Sequence, residues 1–199
     1  MAAKDMEVRY LAKDFEVRAL EDGTKTVTGY VVKFNMRSHL IYGEFYEKVA
    51  QGAFAKALEE NTVKALWNHR SDFVLGSSKN QTLRLIEDEI GLRFELDLPN
   101  NTWGNDAFES IHRGDVDGVS FGFTVREDSW QYIKDEDVYE RTLLNVDLKE
   151  ISPTPFPAYP DSEIGKRSLE GIPDTKEVRQ MQKQQELMKR KLLIELELS

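Results

Sequence analysis

Three residues in this sequence have the types and settings that nucleophilic chemistry requires: Ser120, His69 and Glu150. Ser120 lies in the stretch Asp117-Gly118-Val119-Ser120-Phe121-Gly122-Phe123-Thr124-Val125. An Asp-Gly turn signal opens it, and strict alternation follows, the pattern of a half-buried strand. Val119, Phe121, Phe123 and Val125 make one apolar face; Gly118, Ser120, Gly122 and Thr124 make the other. A glycine two residues away on each side leaves the hydroxyl unshielded, and glycine inside a strand often marks a close approach by a ligand or another backbone. A lone serine on a strand is most often a filler on a solvent face, so its meaning depends on its company.

The chain has three histidines. His112 falls in the last turn of a predicted helix, where partial positive charge suits the helix dipole. His39 sits in a loop beside no evident partner. His69 ends the strand Val63-Lys64-Ala65-Leu66-Trp67-Asn68-His69, where a sheet can hold an imidazole rigidly. In the last strand the alternation puts Val146, Leu148 and Glu150 on the core side and turns Asp147 and Lys149 the other way. A carboxylate on a core face is costly unless it is hydrogen-bonded or paired. A histidine Nδ1–H is a natural partner for Glu150, and a plain buried ion pair fits the pattern equally well. Serine, histidine and carboxylate are the inventory of nucleophile, general base and orienting acid. The string Gly118-Val119-Ser120-Phe121-Gly122 fits the nucleophile-elbow pattern, but an elbow is a strand–turn–helix, and here β-rich Phe123-Thr124-Val125 continues the strand.

The elements that must position these residues read as many short strands with two short helices. Lys13–Leu20 and Lys25–Asn35 form a hairpin about Glu21-Asp22-Gly23-Thr24. Residues 1–12 show no clear period. A helix is predicted over Gly52–Glu60, and a second hairpin over Leu83–Ile86 and Leu92–Leu98. Another helix spans Trp103–His112 after Pro99-Asn100-Asn101-Thr102. Trp130–Ile133 and Val138–Leu144 flank an acidic turn. The strand of Glu150 ends in the proline-rich Ser152–Pro160. From Asp174 the pattern becomes helical, with Glu177 completing a capping box and Val178, Met181, Gln185, Met188 and Leu192 at three-to-four spacing. These elements predict a β-barrel or sandwich domain with helical decoration over residues 1–162, then a linker and a separate charged helical tail over 163–199.

Composition narrows the function classes. With 199 residues, 40% hydrophobic and 10% aromatic, the chain can build a real core. It carries a formal charge of -9 at a sequence pI near 5.0, which argues against nucleic acid as a partner. The tail from Asp174 holds six basic and five acidic residues, so the body carries the negative excess. Cysteine is absent, which removes disulfides, thiolate metal sites and a cysteine nucleophile. Without a long apolar run the chain reads as soluble and intracellular, with no membrane partner.

Three motifs together resemble a known family. They are Ala65-Leu66-Trp67-Asn68-His69, Gly114-Asp115-Val116-Asp117-Gly118-Val119-Ser120-Phe121-Gly122-Phe123, and Leu148-Lys149-Glu150-Ile151-Ser152 with Phe156-Pro157-Ala158. In this order, within Asp14–Asp161, they look like the prohead proteases of tailed phages. The resemblance implies a mainly β fold, a barrel of the herpesvirus protease type ringed by short helices. It implies a serine endopeptidase with His69 as base, Ser120 as nucleophile and Glu150 in the third place. The expected substrates are scaffold and capsid proteins, and the chain itself, cut inside the assembling procapsid in the host bacterial cytoplasm. No metal or organic cofactor is expected, and homo-oligomer formation is left open. The oxyanion donors stay unassigned, since Pro153, Pro155 and Pro157 have no N–H to give and only Thr154 or Phe156 remain in that segment. Two rival readings are a catalytically silent scaffolding protein on the same fold and a small-ligand binding barrel of the lipocalin kind.

Overall fold

The computed structural model describes residues 6–12, 16–19 and 23–155, together with Arg179, Gln180, Lys183, Gln184, Leu187 and Met188. Its strands are β1 (Glu7–Ala12), β2 (Glu16–Ala19), β3 (Lys25–Lys33), β4 (Phe45–Val49), β5 (Lys64–Trp67), β6 (Arg70–Ser77), β7 (Leu83–Glu87), β8 (Gly91–Asp97), β9 (Gly118–Ile133) and β10 (Val138–Thr154). Two helices, α1 (Ala55–Glu60) and α2 (Thr102–His112), fall where the sequence places them. The fold is mainly β, as expected. Its strands form two sheets, one ordered β1-β9-β10-β5-β6 with β4 also on β10, the other β2-β3-β8-β7.

β9 and β10 form one long antiparallel hairpin where the sequence reads as several shorter strands. β10 is the hub of the larger sheet. Its first half pairs in parallel with β4, through Tyr139–Leu143, and its second half pairs in parallel with β5, at Glu150 and Ile151. Strand β4 and strand β1 were not legible in the sequence. β1 breaks the apolar alternation with Glu7 and Arg9, whose charges find partners only in the folded chain.

The alternating face of β9 packs as the sequence predicts. Val119, Phe121, Phe123 and Val125 are buried together with Leu148 and Ile151 of β10, Val27 and Val31 of β3, and Leu92, Phe94 and Leu96 of β8. Each large side chain of this kind removed from water contributes roughly 1.5–3 kcal/mol, so this shared core is what binds the two sheets. α1 adds Phe54, its preceding residue, edge-on to Phe121 at 6.1 Å between ring centroids. α2 turns Gly104, Ala107 and Ile111 inward, and its start is fixed by the Asn101 side chain accepting from the Gly104 amide at 2.8 Å.

The tail does not stand wholly apart from the body. Its described residues are helical, and Arg179 lies against the β9–β10 turn, donating to the Asp137 carbonyl at 3.0 Å and covering the rings of Tyr132 and Tyr139. The expected linker from 163 and the start of the tail helix lie outside the described residues, as do Phe156–Pro160.

Outside the site, the smaller sheet carries a charge lock. Arg84 grips Asp97 through two nitrogens at 2.7 and 3.0 Å, and Thr26 donates to the same carboxylate at 2.9 Å. The Arg84 hydrogen bonds hold the Asp97 carboxyl below the usual carboxylate range, outweighing the effect of burial. A depressed folded-state value means that the ionised form stabilises the fold above the unfolded value, and this contribution disappears as pH falls through the folded one. Asp97→Asn should therefore flatten the acid limb of the stability curve below about pH 4, a range set by the ordinary carboxylate value, as read by urea midpoints over pH.

Candidate active site

The β5–β6 hairpin places His69. β5 stops at Trp67 and β6 starts at Arg70, so His69 sits in a two-residue turn with Asn68 rather than at the end of a strand as expected. Both turn residues have positive φ, 51° for Asn68 and 60° for His69. That conformation matches the twist of a hairpin, and asparagine and histidine tolerate it better than most residues. The turn is fastened along the end of β10. The Asn68 amide donates to the Pro153 carbonyl at 3.1 Å, and Thr154 Oγ1 donates to Asn68 Oδ1 at 2.8 Å. The His69 amide donates to Ser152 Oγ at 3.1 Å.

Glu150 meets the imidazole. His69 Nδ1 lies 2.7 Å from Glu150 Oε1, and Ser152 Oγ donates to Glu150 Oε2 at 2.5 Å. The Glu150 side chain is buried at 8% exposure, whereas the His69 side chain is 31% exposed and so faces the outside on one edge. An ionised carboxylate only accepts hydrogen bonds, so this contact puts the proton on Nδ1 and leaves the lone pair on Nε2.

Glu150 reaches this position for a different reason from the one the alternation suggests. Leu148 is opposite Phe123, but Glu150 is opposite Gly122, so Lys149 is an extra residue in β10. This bulge turns Glu150 away from the core face of Leu148 and onto the face of Ser120. Ile151 then returns to the core opposite Phe121, and Ser152 stands directly opposite Ser120. The buried, partnered carboxylate is as expected; the face is the opposite one. Asp147 is not a solvent-facing charge either. It accepts from Lys149 at 2.7 Å and from Asn61, and pairs with Arg126 at 3.4 Å. Burial would raise its carboxyl, but these partners bring it below the ordinary range.

Ser120 is fully buried, not unshielded. Its hydroxyl donates to the Arg9 backbone carbonyl at 2.8 Å, from β1 on the open edge of β9, and no hydrogen bond joins it to His69. The glycines also serve a purpose other than exposing the serine. A Cβ on Gly122 would lie 2.7 Å from Glu150 Oε1 and 3.2 Å from Met6 Sδ, so Gly122 makes room for the carboxylate. The structure thus brings His69 and Glu150 into contact and sets Ser120 one strand away. It also adds Ser152, which sequence reasoning missed. The available signal was its spacing, two residues beyond Glu150 on one strand face. The other two histidines stay apart: His112 stacks on Phe108 at 5.8 Å in α2, and His39 remains in its loop.

Gly122→Ala tests whether the space beside Glu150 is needed. The added methyl meets a carboxylate already fixed at both oxygens, so overpacking should cost about 1–3 kcal/mol in urea unfolding. An unchanged midpoint would mean that the carboxylate has somewhere else to go.

Known proteins now fix the kinship. The profile of the family described as caudovirus prohead serine protease matches residues 13–177. The prohead protease of Enterobacteria phage HK97 is 30% identical over 135 residues, covering 65% of this chain and 57% of the relative, so the chain spans a little over half of that protein's length. The solved bacteriophage T4 capsid assembly protease superimposes with a TM-score of 0.53 at 10% identity, over 75% of this chain and 98% of that one, a likeness of fold. With the profile matching residues 13–177, well over half of its length, this chain belongs to the caudovirus prohead serine protease family.

Proposed function

We propose that this chain is a serine endopeptidase of capsid maturation, with Ser120 as nucleophile, His69 as general base and Glu150 as the orienting acid. The observation that carries the reading is the 2.7 Å contact between His69 Nδ1 and Glu150 Oε1, made on the strand that pairs directly with the strand of Ser120. In the reaction, Ser120 Oγ turns from the Arg9 carbonyl toward His69 and attacks the scissile carbonyl carbon while its proton passes to Nε2. Collapse of the tetrahedral intermediate breaks the C–N bond as Nε2 returns that proton to the departing amine. Water then repeats the sequence on the acyl-serine, and Glu150 holds the imidazole in one tautomer throughout. Ser152 supports this by occupying the second carboxylate oxygen and the His69 amide.

Family kinship supports substrates of capsid and scaffold type, with the chain itself among them, inside the procapsid of an infected bacterium. It also supports reading the two sheets as parts of a herpesvirus-type protease barrel, with 163–199 as an appended linker and tail. The silent-scaffold reading draws on one observation, the Ser120 hydroxyl bonded to Arg9 and not to His69. The intact trio favours the enzyme, and covalent labelling of Ser120 by a fluorophosphonate decides between them.

Ser120→Ala should abolish cleavage of a scaffold substrate with the fold retained by circular dichroism; wild-type processing by that variant would remove the nucleophile assignment. Glu150→Gln should lose up to about 10⁴ in turnover with Ser120 and His69 in place. Asp147→Asn, which weakens the cluster with Lys149 and Arg126, should cost about 1–3 kcal/mol in stability yet leave kcat nearly unchanged. The opposite ranking of the two in kcat would hand the third place to Asp147.

A further inference from the structure

The bond from Ser120 to β1 has a steric consequence. Ser120 has no exposed surface, and the group that covers its hydroxyl is a backbone carbonyl of the chain's own edge strand. β1 pairs antiparallel with β9 from Glu7 opposite Phe123 to Ala12 opposite Gly118, with Tyr10 opposite Ser120. An extended polypeptide approaching Ser120 from that side would need the same edge and the same backbone groups, as in strand addition to an open sheet edge.

We propose that the β9 edge beside Ser120 is an exchangeable strand-docking surface, that β1 occupies it in the resting chain, and that β1 must leave before an extended segment of a substrate polypeptide can reach the hydroxyl. The inference rests on the reading of Ser120 as nucleophile and adds a gate to it.

The way β1 is anchored suits departure. The strand lies at the border of its sheet, where strands have one paired side and open most easily. Besides its ladder to β9, Glu7 and Arg9 hold it through ion pairs. Arg9 meets Glu47 through Nε at 2.5 Å and Nη2 at 2.9 Å, and Glu7 meets Arg141 at 2.8 and 3.0 Å. Removing one member of such a buried cluster strands its partner and is costly. Removing β1 as a unit is different, because the cluster divides into two halves that are each paired internally. Glu7 and Arg9 leave together, 2.6 Å apart, while Glu47 and Asp128 stay on Arg141 at 3.1 and 2.8 Å. Glu7 keeps Arg9 as it leaves, and Arg141 remains as the partner that Glu47 and Asp128 share.

Two measurements on the full chain test the gate. Native-state hydrogen exchange should show the amides that join β1 to β9 opening independently of those that join β9 to β10; equal protection of the two sets would make β1 a fixed strand and overturn the proposal. The second uses a lock. Ala12 and Gly118 are directly opposite, antiparallel partners lie about 4.5–5.5 Å apart at Cα, and a disulfide accepts that span. The chain has no cysteine of its own, so Ala12→Cys with Gly118→Cys makes a single bridge. The oxidised variant should react with a fluorophosphonate at Ser120 roughly tenfold or more slowly than the same molecule after reduction, since labelling then follows the open population. Equal rates overturn the gate, and so does failure of the bridge to form under oxidant, which would mean that β1 is not seated there. Rapid Ser120 labelling in the locked form sinks the gate while keeping the nucleophile; no Ser120 labelling in the reduced, unlocked or wild-type chain sinks the nucleophile reading, and the gate falls with it.

Discussion

The bulge at Lys149 lets one strand serve two opposing surfaces. A regular β10 would alternate strictly, and Glu150 would follow Val146 and Leu148 into the core, where an ionised carboxylate has no partner. With Lys149 inserted, Leu148 and Ile151 both stay on Phe123 and Phe121, and the two residues needed at the site, Glu150 and Ser152, both face His69 and Ser120. The core loses none of its apolar contacts to this change of face. Bulges accumulate beside active sites for this reason, since one extra residue re-aims every side chain that follows it.

Burying Glu150 requires that every acceptor be satisfied, and the provisions come from two strands and a turn. Ser152 on the same strand takes one oxygen, and His69 on the β5–β6 turn takes the other. Gly122 on β9 vacates the volume. The His69 turn is held in a left-handed conformation by contacts to Pro153, Ser152 and Thr154, which transfers the rigidity of the long hairpin to the imidazole. The carboxylate and the serine are thus carried by paired strands, and the imidazole by a two-residue turn fastened to one of them. In the role proposed for Glu150, such preorganisation would let the carboxylate act without spending free energy at the moment of reaction.

Two kinds of attraction hold the larger sheet together, with different consequences for motion. Between β9 and β10 the contact is apolar and continuous with the core shared by both sheets, so opening there means unfolding. At the start of β1 the anchors include charges, with Glu7 on Arg9 within the strand and Glu47 on Arg141 outside it. The boundary between rigid and exchangeable structure runs along the edge of the strand that carries Ser120.

Much of the site was legible in the sequence, because residue type and local pattern are local properties. Alternation identified the β9 face of Val119, Phe121, Phe123 and Val125, and the run Pro99-Asn100-Asn101-Thr102 with the pattern after it located α2. Residue chemistry singled out Ser120, His69 and Glu150, and motif order supplied the family. What failed were the inferences that extended a period across an irregularity. Strict alternation put His69 on a strand and Glu150 on the core face, because neither the turn at Asn68 nor the extra residue at Lys149 has a compositional signature; both are fixed by pairing with distant strands. The burial of Ser120 was likewise out of reach, since it depends on Arg9, 111 positions away, and on a strand whose charged side chains look unlike a strand until Glu47 and Arg141 surround them. Local sequence determined which groups could do chemistry; long-range strand pairing decided which way they face and what covers them, because register is an agreement between two segments and is written in neither one alone.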